Sequence, residues 1–96
     1  MVTVRIEHAI HDYQAWKQAF DRDPADRKGS GVRSYVISQP ADDPRYVMID
    51  LDFERRAQAD AFLATMAKVW ASPGAAPALK GLPTGKILER RESGTP

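Results

Sequence analysis

An α+β fold in the order β-α-β-β-α-β follows from three features of this 96-residue sequence. Four segments alternate apolar with polar residues or are rich in β-branched and aromatic ones, two repeat apolar residues every three or four positions, and Gly- and Pro-rich breaks separate them. Such a chain closes as a four-stranded antiparallel sheet with both helices on one face. Val2, Val4, Ile6 and His8 alternate with Thr3, Arg5 and Glu7, which makes residues 2–9 the first, half-buried strand. Asp12 can cap a helix over about 12–22, with Tyr13, Trp16, Ala19 and Phe20 inward and Lys17 and Gln18 outward. Pro24 opens a further turn through Arg27 and Lys28, and Gly29-Ser30-Gly31 ends it.

Residues 32–38 form the second strand and 45–53 the third, joined as a hairpin through the polar turn from Pro40 to Pro44. In the third strand Val47, Ile49, Leu51 and Phe53 share one face, and Tyr46, Met48, Asp50 and Asp52 the other. A second helix is expected over 54–70, carrying Ala59, Phe62, Leu63, Met66, Val69 and Trp70 inward, opposite Arg56, Asp60 and Lys68. Three prolines and two glycines make 72–83 a loop with at most one short turn, and 85–92 supplies the last strand. There Arg90 and Arg91 with Glu89 and Glu92 would give a charged edge that resists sheet-to-sheet aggregation. Residues 1–92 are read as a single domain and 93–96 as a frayed tail.

Composition limits the partners. Lys plus Arg number 14 against 13 Asp plus Glu, spread over both halves, so no nucleic-acid arm or polybasic membrane patch is indicated. No apolar run approaches the roughly 18 residues of a membrane span, and the first ten residues are interrupted by Arg5 and Glu7 where a signal core would be continuous. The absence of cysteine removes disulfides, thiolate metal sites and a cysteine nucleophile, and a cytoplasmic location is the expectation. There is no phosphate-cradling glycine loop, no Gly-x-Ser-x-Gly elbow and no His-Glu-x-x-His pattern. Fourteen alanines leave the core lean, and a chain this short buries only about 65% of its extended surface alone. The β-α-β-β-α-β order is that of the ferredoxin-like fold, whose second sheet face would here carry Thr3, Arg5, Glu7, Tyr46, Met48, Asp50 and Asp52. A bare face of that size with Met and Tyr on it calls for a partner, and a two-fold homodimer lets one patch serve twice.

Strand one ending in His8, then Asp12-Tyr13 with Trp16 and Phe20, Gly31-Val32 opening strand two, Asp43-Pro44 before strand three and Ala59 to Leu63 at the start of helix two together resemble the dimeric α/β-barrel superfamily. That superfamily includes antibiotic-biosynthesis monooxygenase-like proteins, small cyclases and stress-responsive barrel proteins. The resemblance spans about residues 2–92. It implies two sheets paired face to face as a barrel, and a cleft between sheet and helices in each subunit for an aromatic or polyketide-type molecule. It also implies oxygenation or ring closure without a metal or organic cofactor. Its haem-degrading and quinone-forming members rely on an asparagine in the cleft, and this sequence contains none.

His8 lies at a strand end on the helix-facing side, where a neutral imidazole could move a proton; its plainer role is to close the end of the core on a backbone carbonyl. His11 reads as an exposed turn residue, and a metal site from His8, His11 and Asp12 is disfavoured because strand and loop would aim the imidazoles apart. Trp16, Phe20, Phe62 and Trp70 either line a pocket for a planar ligand or fill the core that alanines cannot. Trp16 and Trp70 are the candidate substrate-stacking residues, Trp70 because it borders the Pro/Gly-rich loop. Tyr35 could orient a carbonyl if its strand face turns inward. Asp50 is expected to pair with Arg5 across strands and not to serve as an acid. The alternative to an enzyme is a non-catalytic homodimer that binds an apolar ligand or another protein.

Overall fold

The structure is a computed structural model that describes residues 1–75 and 79–96. Its elements are β1 (Val2–Ala9), α1 (Tyr13–Asp21), β2 (Ser34–Ser38), β3 (Tyr46–Phe53), α2 (Arg56–Ala71) and β4 (Lys80–Glu89). They form one antiparallel sheet in the order β2-β3-β1-β4, the ferredoxin-like arrangement expected from the sequence. β1 and β3 pair along their whole length, from Val2↔Phe53 to Ala9↔Tyr46. Because side chains alternate, this register puts Val4, Ile6 and His8 beside Val47, Ile49, Leu51 and Phe53 on the buried side. Ile10, Trp16, Ala25, Ala59 and Phe62 complete that core. No helix among the described residues is long and apolar enough to cross a membrane.

Local chemistry fixes where the helices start. Asp12 stands in extended backbone, and its Oδ2 accepts the Ala15 N–H at 2.9 Å, which satisfies a donor that the first turn of α1 cannot. At α2 the Gln58 side chain reaches back to accept the Arg55 N–H at 3.2 Å. Gln58 also sets the approach of β2. Gly31 has φ +98°, and a Cβ there would lie 2.7 Å from the Gln58 amide nitrogen, so glycine is required by conformation and by space.

The opposite sheet face carries the residues anticipated for it, joined in cross-strand pairs. Arg5 clasps Asp50 through Nε at 2.8 Å and Nη2 at 2.9 Å, Thr3 Oγ1 donates to Asp52 at 2.6 Å, and the Tyr46 hydroxyl donates to Glu7 at 2.7 Å. The guanidinium beside it holds the Asp50 carboxyl below its ordinary value, which makes this aspartate half of an ion pair and not a proton donor. Val36 shares this face and is 61% exposed.

The last strand differs from expectation. β4 begins at Lys80, five residues before Gly85, and ends at Glu89, so Arg90, Arg91 and Glu92 lie beyond it. The loop expected over 72–83 therefore contributes residues 80–83 to the sheet, while its residues 76–78 lie outside the described ones. Gly81 and Pro83 read as breakers in sequence. On this edge strand they form a bulge: Glu7 pairs with Thr84 and Ala9 with Lys80, so Gly81, Leu82 and Pro83 stand opposite His8 alone. An edge position tolerates proline, which has no N–H to donate, and Gly81 takes φ +88° to make the detour.

Candidate functional site

A cavity of about 290 Å³ lies between the sheet and the helices. Its floor is Ile6 and His8 of β1 with Ile49 and Leu51 of β3, the inward residues of the two central strands. Trp16, Ala19 and Phe20 of α1 form one wall, and Phe62, Met66, Val69 and Trp70 of α2 another. Its rim is made by the segment after α1, with Arg22, Asp23, Pro24, Ala25 and Arg27, and by Ser72, Gly74, Ala75 and Leu79. Small residues at 19, 25, 74 and 75 leave space where larger ones would fill it. The volume sits near the lower end of the roughly 300–1,000 Å³ of small-molecule sites.

His8 is the one buried polar or charged residue among those described, 5% exposed. Its Nδ1 lies 3.0 Å from the Ala9 carbonyl oxygen, which can only accept, so the proton resides on Nδ1 and Nε2 keeps its lone pair. Burial pulls the His8 pKa below the ordinary 6.5, and the Ala9 carbonyl opposes this by a smaller amount. The ring is therefore neutral at pH 7. No buried side-chain nitrogen among the described residues is left without a partner, so Nε2, for which the described residues offer none, reaches accessible space. A buried imidazole in the lining of a cavity, with its orientation set by one nitrogen and its other free, is equipped to take a proton from a bound molecule.

Beside it runs a row of rings. Trp16 stands 6.2 Å from the His8 ring, Phe20 5.2 Å from Trp16, and Tyr35 5.2 Å edge-on to Phe20. Three of the four residues singled out in sequence, His8, Trp16 and Trp70, line the same cavity. Tyr35 does not. Its strand face does turn toward the helices, but β2 is an edge strand, and the ring is 46% exposed and packs on Phe20 outside the cavity lining. His11 is exposed, and among the described residues no three His, Asp or Glu side chains are placed to hold a metal ion. The rim residues Arg22, Asp23 and Arg27 are not singled out by sequence reasoning, where Arg27 enters only in the turn after Pro24. The available signal was the Asp23 to Arg27 spacing of four after an aromatic helix face.

No family model and no curated protein matches the chain in sequence. Solved structures do match in fold. A variant form of SnoaB, a cofactor-independent oxygenase from Streptomyces nogalater, superposes with a TM-score of 0.72 at 13% identity, over 96% of this chain and 94% of that one. An antibiotic biosynthesis monooxygenase matches with a TM-score of 0.62 at 16% identity, over 96% of this chain and 100% of that one. A dimeric ferredoxin-like protein from an uncultured marine organism matches at 0.62 and 11%, over 91% and 92% of the two chains.

Proposed function

We propose that the cavity binds a flat, largely apolar aromatic molecule and that His8 accepts a proton from it, as the opening step of a cofactor-independent oxygenation. The observation that carries this reading is the buried, neutral His8, with Nδ1 engaged by Ala9, in the lining of a cavity walled by Trp16 and Trp70. The shared fold with a cofactor-independent oxygenase supports the reaction type.

The chemistry suits such a site. Removing a proton from a methylene flanked by aromatic rings or a ketone leaves a carbanion that is electron-rich enough to reduce dioxygen. The carbon then binds the reduced oxygen as a hydroperoxide, and loss of water turns the methylene into a carbonyl. One oxygen atom enters the product, and the other leaves in water with the two hydrogens. His8 Nε2 takes the first proton and returns it to the departing oxygen. Apolar walls exclude water and keep the imidazole neutral. Trp16 and Trp70 hold the ring system by stacking.

The test uses anthrone, whose central methylene has the required acidity. Binding is followed by quenching of tryptophan fluorescence, and turnover by oxygen uptake and anthraquinone formation. Turnover should fall by about 10²–10⁴-fold in His8→Gln while binding persists, since a general base contributes on that order. Binding without turnover in the wild type would favour the non-catalytic reading, in keeping with the missing asparagine. No binding would reject the site.

A further inference from the structure

Two arginines and one aspartate stand on the rim of a mostly apolar cavity. Arg27 is unusual among them because its side chain is only 17% exposed. Its guanidinium lies 3.8 Å above the centre of the Phe20 ring and 5.3 Å from that of Tyr35. Nη1 is committed: it donates to the Phe20 carbonyl at 2.7 Å, closing the end of α1, and stands 3.4 Å from Asp23 Oδ1. Nε and Nη2 have no protein acceptor among the described residues. Because no buried side-chain nitrogen there lacks a partner, these donors open onto accessible space.

The charge count favours an anion. Asp23 is the one acidic lining residue, and it is tied to Arg27 twice, by the ion contact and by accepting the Arg27 backbone N–H at 2.9 Å. Arg22, also on the rim, has no carboxylate within 4.0 Å among the described residues. One positive charge is thus left over at the mouth. Asp23 holds φ +53°, a left-handed conformation that aspartate tolerates, and so keeps the rim in the shape that presents Arg27. His8, Trp16, Phe20 and Arg27 follow one another at 6.2, 5.2 and 3.8 Å, an imidazole at one end of an aromatic wall and a guanidinium at the other.

We infer that the cavity selects an aromatic acid: Arg27 takes its carboxylate through Nε and Nη2 at the rim, and the ring system lies along Phe20 and Trp16 toward His8. A fixed guanidinium fork matches the two oxygens of a carboxylate, and stacking on Phe20 keeps the fork from turning away. This inference rests on the reading of the cavity as an aromatic-ligand site.

A matched pair of probes, naphthoate and naphthamide, separates the two claims by tryptophan quenching. The wild type should bind naphthoate about ten-fold or more tighter than naphthamide. Added salt should weaken the first and not the second. In Arg27→Gln the preference should vanish, because naphthoate binding falls to the level of naphthamide. Equal affinities in the wild type would overturn the anion site and leave the cavity reading intact, whereas binding of neither probe would overturn both. A preference that survives in Arg27→Gln would remove Arg27 from the role. Should that variant not fold, because Nη1 also holds the end of α1, the wild-type ratio and its salt dependence decide the matter alone.

Discussion

At the scale of single residues, His8 gathers the most physical consequence. Its folded-state pKa is depressed, so in the acid range the unfolded chain binds the proton more readily than the folded one. The stability it contributes is complete above pH 6.5 and is lost as pH falls from there through the folded-state value. Thermal unfolding followed from pH 7.5 downward should show the wild type losing stability just below 6.5, and His8→Gln lacking that part of the loss. Asp50 acts in a separate window: held low by Arg5, it keeps its contribution above its ordinary 3.8 and gives it up further into acid. Much of this was legible in sequence. Alternation alone placed His8 on the inner face at a strand end, and facing positions paired Arg5 with Asp50. Tyr35, which also faces inward, stands outside the cavity lining because inward does not mean enclosed: an edge strand has no neighbour on one side to cover it. Arg27 was missed because its value comes from Phe20, seven residues away, and from an end of α1 that charge patterning does not reveal.

At the scale of elements, α1 depends on its cap. Asp12→Ala should cost about 1 kcal/mol of unfolding free energy, measured by denaturant titration, because the Ala15 N–H loses its acceptor. Gly31→Ala should cost at least about 1 kcal/mol, since a side chain disfavours φ +98° and its Cβ would meet Gln58. Periodicity revealed β1, β3 and both helices because each buries a regular set of positions. β4 followed no such rule. It is an edge strand with no fully buried residue, and its bulge at Gly81 to Pro83 uses the residue types that elsewhere end a strand. That bulge is opposite His8, so the part of the sheet hardest to read is the part that frames the site.

At the scale of the whole molecule, the outer sheet face sets the expectation of a homodimer. Arg5 pairs with Asp50, and the Thr3 and Tyr46 hydroxyls donate to Asp52 and Glu7, so these groups keep hydrogen-bond partners within the chain when the face is covered. Met48 and Val36 supply apolar area between them. Sedimentation should report twice the chain mass for the wild type and the single chain for Met48→Asp, which puts an added negative charge on the face the dimer would cover. The cavity lies on the opposite side of the sheet, so the monomeric variant should still bind aromatic probes. The lean, alanine-rich composition thus has two structural outlets, a sheet face that invites a second copy and a core that small residues leave open. The most direct test of His8 as the base in that opening is hydrogen–deuterium exchange at the anthrone methylene, followed by proton NMR in oxygen-free D2O. Exchange should be accelerated by the wild type and fall by about 10²–10⁴-fold in a folded His8→Gln that still binds anthrone. Equal exchange in the two proteins, or exchange no faster than in buffer while anthrone is bound, would contradict it.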